Sequence, residues 1–151
     1  MRIERVYTRH VLATTRASPT IEAAVAMHDF QVGALLVMDE ANPSGPPVGI
    51  VTDRDLALHG LASASTTVGA VMTPVVATIR HDADAHEALE TMRAHGVRRL
   101  AVTSADGKVC GILSVDDVVD GLSADLAAAA AVLKGEIRRD SAGLGDVKVG
   151  G

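Results

Sequence analysis

Residues 49–55, G-I-V-T-D-R-D, recur at an offset of 62 as residues 111–117, G-I-L-S-V-D-D. In each copy, a glycine followed by two aliphatic residues is typical of a buried strand. The carboxylates that come next favour the first turn of a helix, because they interact with its free N–H groups. Thr52 and Asp55, like Ser114 and Asp117, are therefore predicted to lie where a strand runs into a helix.

The repeat extends beyond these two stretches. At an offset of 65, residues 6–13, V-Y-T-R-H-V-L-A, match residues 71–78, V-M-T-P-V-V-A-T. The offset falls to 62 after residues 40–47, whose prolines and glycine suit a surface turn that tolerates an insertion. The chain is therefore predicted to contain two equivalent structural units.

Each unit has the pattern β-α-β-β-α. An extended segment, at residues 6–13 and 71–79, precedes a helix whose start is marked by Ser18 before a proline in the first unit. In the second unit the start is marked by the capping-box spacing Asp84-x-x-Glu87. The next strand and the second helix are predicted at residues 34–38 and 53–61, and again at residues 99–103 and 115–122. One unit is too small to bury its sheet alone, so we expect two units to pack together in an α+β fold.

The remaining residues follow the second unit. Residues 123–139 are rich in alanine and are predicted to form a C-terminal helix, whereas residues 140–151 are rich in glycine and are predicted to form a flexible tail. We hypothesise that the apolar residues of this helix dock on the two units or on a partner. These residues are Leu126, Val132, Leu133 and Ile137.

Composition narrows the class of protein. A net charge of −5 argues against nucleic-acid binding, which relies on cationic neutralisation of phosphates. Cys110 is the only cysteine and is expected to be an inert part of the core, which fits a reducing, cytoplasmic location. No signal peptide or membrane-spanning stretch is expected. Residues 81–86, H-D-A-D-A-H, invite a metal-binding interpretation, but a loop with a helix cap explains them better.

The layout resembles the tandem CBS-domain pair, or Bateman module, which is named after the regulatory region of cystathionine β-synthase. The resemblance rests on paired V-x-T segments, A-x-x-x-M helices and G-h-h-[T/S]-x-x-D strings. It covers residues 3–62 and 67–122 and predicts a stand-alone CBS pair with pseudo-two-fold symmetry. The matched segments are Val6-Tyr7-Thr8 with Val71-Met72-Thr73, and Ala23/Met27 with Ala88/Met92.

The resemblance implies a sensor without catalytic activity. Family members bind adenosine-containing ligands (AMP, ADP, ATP, NAD or S-adenosylmethionine) in two clefts between the repeats, associate as flat homodimers and act on a partner protein. A purely structural adaptor with empty clefts remains the alternative. An enzyme is disfavoured, because the sequence contains neither a Gly-rich phosphate loop nor a set of metal ligands.

By the same resemblance, Asp55 and Asp117 would accept hydrogen bonds from ribose hydroxyls, and Thr52 and Ser114 would help to hold ribose or phosphate. Helix capping alone also explains these four residues. Arg98 or Arg99 would meet a phosphate in the cleft that holds Asp117, and strand alternation allows only one of the two to face a given cleft. The first repeat has Gly33-Ala34 at these positions, so we expect unequal clefts, with the phosphate end preferred beside Asp117.

The resemblance also predicts an apolar slot for adenine in each cleft. Core positions require the same residue types, so the sequence leaves both roles open. The walls are predicted to be Tyr7, Val11, Leu12, Val32 and Ile112 around Asp117, and Met72, Val76, Ala77, Val97 and Ile50 around Asp55.

Overall fold

The computed structural model describes residues 1–59, 66–74 and 77–143 of the 151-residue chain. The strands are β1 (Ala13–Thr15), β2 (Ala34–Met38), β3 (Gly49–Thr52), β4 (Thr73–Pro74), β5 (Thr78–Arg80), β6 (Arg99–Thr103) and β7 (Val109–Ser114). The helices are a short 3-10 helix (Ile3–Arg5), α1 (Thr20–Phe30), α2 (Asp53–His59), α3 (Val68–Val71), α4 (Ala85–His95) and α5 (Val115–Gly143).

Two small sheets form the centre of the molecule. One has the strand order β1-β2-β3-β4 and the other the order β5-β6-β7. In both sheets the first two strands are parallel and the next pair is antiparallel. The frames β1-α1-β2-β3-α2 and β5-α4-β6-β7-α5 are therefore equivalent, which confirms the predicted α+β fold of two β-α-β-β-α repeats with a C-terminal helix.

The segment before each repeat packs into the other repeat. Ile3 and Tyr7 lie in the apolar core of the second repeat, together with Leu113. Val68 and Val71, which follow the first repeat, lie in the core of that repeat. The short 3-10 helix and α3 stand at equivalent positions at the offset of 65, so the exchange of segments is reciprocal.

This exchange explains the glycine in each of the two motifs. A Cβ on Gly111 would lie 2.5 Å from the carbonyl oxygen of Thr8, and a Cβ on Gly49 would lie 2.5 Å from Sδ of Met72. Both distances are shorter than any stable non-bonded contact. A side chain at Gly111 would therefore displace the backbone of the incoming segment, whereas a side chain at Gly49 would first displace the flexible side chain of Met72. Thr8 and Met72 belong to the two V-x-T segments, so each glycine leaves room for the V-x-T segment that packs against it.

A third apolar cluster joins the repeats. The buried side chains of Leu36, Ile50 and Ile112 meet there, and the partly buried Val11 and Val109 pack around them. Residues from both sheets contribute to this cluster, which therefore holds the repeats against each other.

Two local predictions from the sequence are wrong. The segment at residues 6–13 is not a continuous strand, because only Thr8 forms an isolated bridge, to Ile112, and β1 begins at Ala13. The second copy, at residues 71–79, contains β4 and most of β5 as predicted, although Val71 ends α3. Ser18 does not cap α1, whose N-cap is Pro19; the Ser18 hydroxyl instead lies 2.9 Å from that of Thr15. The cap at Asp84 is confirmed, with its carboxylate 2.9 Å from the N–H of Glu87.

The last helix is longer than the sequence suggested. The helices predicted at residues 115–122 and 123–139 form the single helix α5, which continues to Gly143. Leu126 is 73% exposed, and Val132 and Leu133 are also exposed, so these residues do not dock on the described part of the two repeats. Within the described ranges, none of the helices combines the length and the apolar character needed to cross a lipid bilayer.

Candidate functional site in the clefts between the repeats

The strand-to-helix turn has the same geometry in both repeats. The N–H of Asp117 donates to Oγ of Ser114 (3.1 Å), and Oδ2 of Asp117 accepts from the N–H and the hydroxyl of Ser114 at 2.8 and 2.7 Å. The N–H of Asp55 donates to Oγ1 of Thr52 (3.2 Å), and the N–H of Thr52 donates to Oδ2 of Asp55 (2.9 Å). These are reciprocal caps, so the capping role of all four residues is confirmed.

Capping occupies only one oxygen of each carboxylate. Among the described residues, none donates a hydrogen bond to Oδ1 of Asp117 or of Asp55. The caps therefore fix the orientation of each carboxylate and leave one oxygen to accept a hydrogen bond from a ligand.

The turn at Asp117 opens into a cleft of about 400 Å³, which we call the Asp117 cleft. This volume lies within the range typical of small-molecule sites. Both repeats line the cleft, and its lining contains both apolar and polar residues. The lining residues are Thr8, His10, Val11, Gln31, Val32, Gly33, Ala34, Asp53, Arg99, Ile112, Ser114 and Asp117.

The related cleft of the other repeat, the Asp55 cleft, is smaller, at about 250 Å³. Asp55 is not among the described residues that line it, although the buried Thr52 is. The lining residues are Ile50, Thr52, Thr73, Pro74, Gly96, Val97, Arg98 and Arg99.

The two clefts are built from equivalent positions. Six positions of one cleft recur in the other at the repeat offset: Thr8 and Thr73, Val32 and Val97, Gly33 and Arg98, Ala34 and Arg99, Ile112 and Ile50, Ser114 and Thr52. Gln31 and Gly96, the left-handed residues that end α1 and α4, are a further equivalent pair. The residues predicted from the sequence do not include Thr8, Gln31 or their counterparts, although Thr8 and Thr73 are the threonines of the two V-x-T segments.

The arginines are arranged differently from the prediction. Arg99 lines both clefts, and Arg98 lines the Asp55 cleft, so two arginines line the Asp55 cleft and one lines the Asp117 cleft. The expectation that strand alternation separates the two side chains is wrong, because β6 begins at Arg99 and Arg98 precedes the strand. Arg98 also lies 3.7 Å from Asp116, and both side chains are at least 70% exposed, so this ion pair is weak.

Several predicted wall residues lie in the cores of the repeats. Tyr7 is buried in the core of the second repeat, and Ala77 packs against that core. Leu12 and Met72 pack against the core of the first repeat. Val11, Val32, Ile112, Val97 and Ile50 do line the clefts. Val76 lies outside the described residues.

The polar residues before α4 have partners of their own. The His81 ring lies 3.1 Å from Glu4, and Asp82 lies 2.8 Å from Arg80. Asp84 caps α4, and the hydrogen bond from the N–H of Glu87 lowers the pKa of its carboxyl below the usual value. These contacts account for the polar residues at 81–86 as a loop with a helix cap, as the sequence predicts.

The comparison with known proteins identifies the family. The model of the CBS domain matches the chain twice, at residues 3–61 and 68–124. The chain belongs to the CBS-domain family. It is 41% identical to the uncharacterized protein YlbB of Bacillus subtilis over 100 residues, which are 64% of this chain and 66% of YlbB. It is also 28% identical to the inosine-5'-monophosphate dehydrogenase of Methanocaldococcus jannaschii over 116 residues, which are 77% of this chain and 22% of the enzyme.

The CBS pair therefore spans less than two thirds of either relative. Solved structures of CBS proteins share its fold. A CBS domain protein from Pyrobaculum aerophilum complexed with AMP superposes with a TM-score of 0.62 at 24% identity, covering 78% of this chain and 89% of that one. The CBS domain pair of protein MJ0100, in complex with 5-methylthioadenosine and S-adenosyl-L-methionine, gives a TM-score of 0.66 at 22% identity, covering 83% and 98%.

Proposed function

We propose that this CBS pair is a regulatory module that binds an adenosine-containing ligand in the Asp117 cleft and signals to a partner protein by conformational change. The carboxylate of Asp117 is the observation that carries the proposal. It is oriented by two hydrogen bonds from Ser114, keeps one oxygen for a ligand and lines a cleft of suitable size.

The ribose would bind at Asp117. A carboxylate at a strand-to-helix junction can accept hydrogen bonds from vicinal hydroxyls, and each such charge-assisted bond contributes about 1.5–3 kcal/mol. Because the caps hold the carboxylate in place before binding, little conformational entropy is lost when the ligand arrives.

The base would lie between Val11, Val32 and Ile112, which form the apolar part of the cleft. The phosphate would meet Arg99, whose planar fork of donors suits phosphate oxygens. Asp53 also lines this cleft, and its negative charge opposes that of a phosphate chain. We therefore propose AMP or S-adenosylmethionine ahead of ADP and ATP, whose longer phosphate chains carry more negative charge than AMP into a cleft lined by one arginine and an opposing carboxylate.

The Asp55 cleft would be the weaker site. Its volume is smaller, and no carboxylate is among the described residues that line it, so a ribose would lack its acceptor there. Its two arginines suit an anion better than a nucleoside. We propose that adenosine compounds occupy the Asp117 cleft first.

The site supports the proposed ligand class, which agrees with what two proteins of the same fold bind. We further propose, from the family resemblance, that the module works in the cytoplasm, as a homodimer and without catalysis. Four exposed apolar residues on α1 and α2 offer surface for association: Ile21, Val25, Phe30 and Leu58. For regulation to occur, the ligand must bind two states of the module with different affinities.

Thermal unfolding against AMP, ADP, ATP, NAD and S-adenosylmethionine tests the proposal. A ligand at a hundred times its Kd adds about 2.7 kcal/mol to the free energy of unfolding, which corresponds to a rise in Tm of about 5–10 °C in a chain of this size. A flat panel would favour the structural adaptor, and turnover of a stabilising ligand would favour an enzyme.

The variant Asp117→Asn makes the test specific to the cleft. The asparagine oxygen can still accept the capping bond from Ser114, so the fold is kept while the charge is lost. We expect the affinity for the ligand to fall at least about tenfold, as the loss of one charge-assisted hydrogen bond requires. Asp55→Asn is the matched control and should leave the affinity unchanged.

A further inference from the structure

The exposed side of α5 carries a continuous apolar stripe. Its residues recur every three or four positions, which places them on one face of a helix with 3.6 residues per turn. Leu126 and Leu133 are 73% and 60% exposed, so the face is open along its length. The α5 stripe consists of Val119, Leu122, Leu126, Ala130 and Leu133.

The stripe lies apart from the side of α5 that packs on the second repeat. That packed side is carried by Val118, which is fully buried, and by Gly121, which stands against Met1 and Val6. Residues beyond position 124 lie outside the match to the CBS family, so the outer half of the stripe is a feature of this chain rather than of the family model.

Charged residues follow one edge of the stripe with opposite signs at its two ends. Asp116 and Asp120 lie near the start of α5, and Lys134 and Arg138 near its end; all four are exposed. Asp116 and Lys134 are 18 residues apart, as are Asp120 and Arg138, and 18 residues are about five full helical turns. The four side chains therefore share the same edge.

We propose that the α5 stripe packs antiparallel against the α5 stripe of a second copy of this chain. The antiparallel orientation sets Asp116 opposite Arg138 and Asp120 opposite Lys134, and both pairs are centred on residue 127. A parallel orientation would place the two charged edges on opposite sides of the interface, where they could not pair with each other. The stripe is centred on residue 126, within one residue of the centre of the charge pairs, so one rotation axis beside Leu126 brings both close to their partners.

The geometry requires little change in the module. Val119 is 51% and Leu122 is 40% exposed, so the stripe is accessible at the end near the repeats. The contact between Asp116 and Arg98 is long and exposed. Asp116 can therefore leave Arg98 at little cost and pair with Arg138 of the second copy.

Cysteine cross-linking tests the orientation. In a Cys110→Ala background, Leu126→Cys is expected to form a disulfide with its own copy, because it lies beside the axis. Leu133→Cys is expected to cross-link with Leu122→Cys in a mixed sample and not with itself. Self-linkage of Leu133→Cys without the mixed product would overturn the antiparallel orientation, and the absence of any linkage would overturn the pairing.

Sedimentation of variants in the α5 stripe and in its charged edge tests the contacts themselves. Leu126→Glu is expected to weaken self-association, whereas Val132→Glu, on another face of α5 and 62% exposed, is the matched control and should not. Asp120→Lys and Lys134→Asp are each expected to raise the dissociation constant about tenfold, and their combination in one chain should restore it. The proposal is overturned if the combined variant associates no better than the single ones, or if Leu126→Glu behaves like Val132→Glu.

Discussion

Replacing Gly111 by alanine should reveal how strongly the N-terminal segment is bound to the second repeat. The added Cβ would lie 2.5 Å from the carbonyl oxygen of Thr8 and 2.5 Å from Cδ2 of Tyr7. The Thr8 oxygen belongs to the backbone and the Tyr7 ring is buried, so neither can move without displacing the segment. Overpacking of this kind costs about 1–3 kcal/mol.

A second cost follows from the displacement. Thr8 and Ile112 exchange two backbone hydrogen bonds, of 2.9 and 3.0 Å, and each contributes about 1 kcal/mol. If these bonds break, we expect Gly111→Ala to lower the free energy of unfolding by about 3 kcal/mol or more. Thr8 and Ile112 also line the Asp117 cleft, so ligand affinity should fall in the same variant.

Gly49→Ala is the matched comparison in the first repeat. The nearest atom to the added Cβ there is Sδ of Met72, at 2.5 Å, and the flexible side chain can rotate away from it. We therefore expect a smaller loss, of about 1 kcal/mol. Gly135→Ala, whose Cβ meets no described atom within 4 Å, should cause no loss.

Urea denaturation of the three variants measures these differences in the free energy of unfolding. A value for Gly111→Ala within about 0.5 kcal/mol of the wild type, the usual range for uncritical surface sites, would refute the reasoning. So would a larger loss for Gly49→Ala than for Gly111→Ala.

Three further predictions follow from single side chains. Arg99→Ala should weaken AMP binding about tenfold in isothermal titration, whereas Arg98→Ala, outside the Asp117 cleft, should leave it unchanged; equal effects would contradict the assignment. Leu100→Ala, at a fully buried position, should cost about 2–5 kcal/mol in urea denaturation, and a loss below 1 kcal/mol would argue against this core. The capping bond lowers the pKa of Asp84, so its stabilisation is present above the ordinary aspartate pKa and is lost as pH falls through the lowered value. The difference in stability between wild type and Asp84→Ala should therefore shrink on acidification, and a constant difference would contradict the cap.

The regular parts of the fold could be predicted because local and repeated signals agree. The strand at Ala34–Met38 and its copy at Arg99–Thr103 were recovered with their bounds. The helical segment at Val68–Val71 was not, because its β-branched residues favour an extended chain and only burial in the other repeat makes them helical. In this segment tertiary contacts outweigh the local preference for an extended chain, and a local sequence pattern contains no information about those contacts.

The polar part of the candidate site was easier to predict than its walls. Ser114 and Asp117 follow from a spacing whose capping geometry is local and therefore visible in the sequence. Tyr7 and Leu12 were placed in the wall of a cleft but lie in or against the cores, since apolar residues serve both roles. The prediction that only one of Arg98 and Arg99 faces a given cleft fails at the Asp55 cleft, because strand alternation applies only from the first residue of β6.

The exchange of segments between the repeats has a consequence for folding during synthesis. Ile3 leaves the ribosome more than 100 residues before Leu113, with which it shares a core. At about 5–20 residues per second, the segment waits roughly 5–20 s for its docking site. The first repeat is completed only when Val68 and Val71 emerge, and the second only when the oldest part of the chain returns to it. We therefore expect the module to complete its folding in one late step, in which its N-terminal segment packs against the last strand, β7.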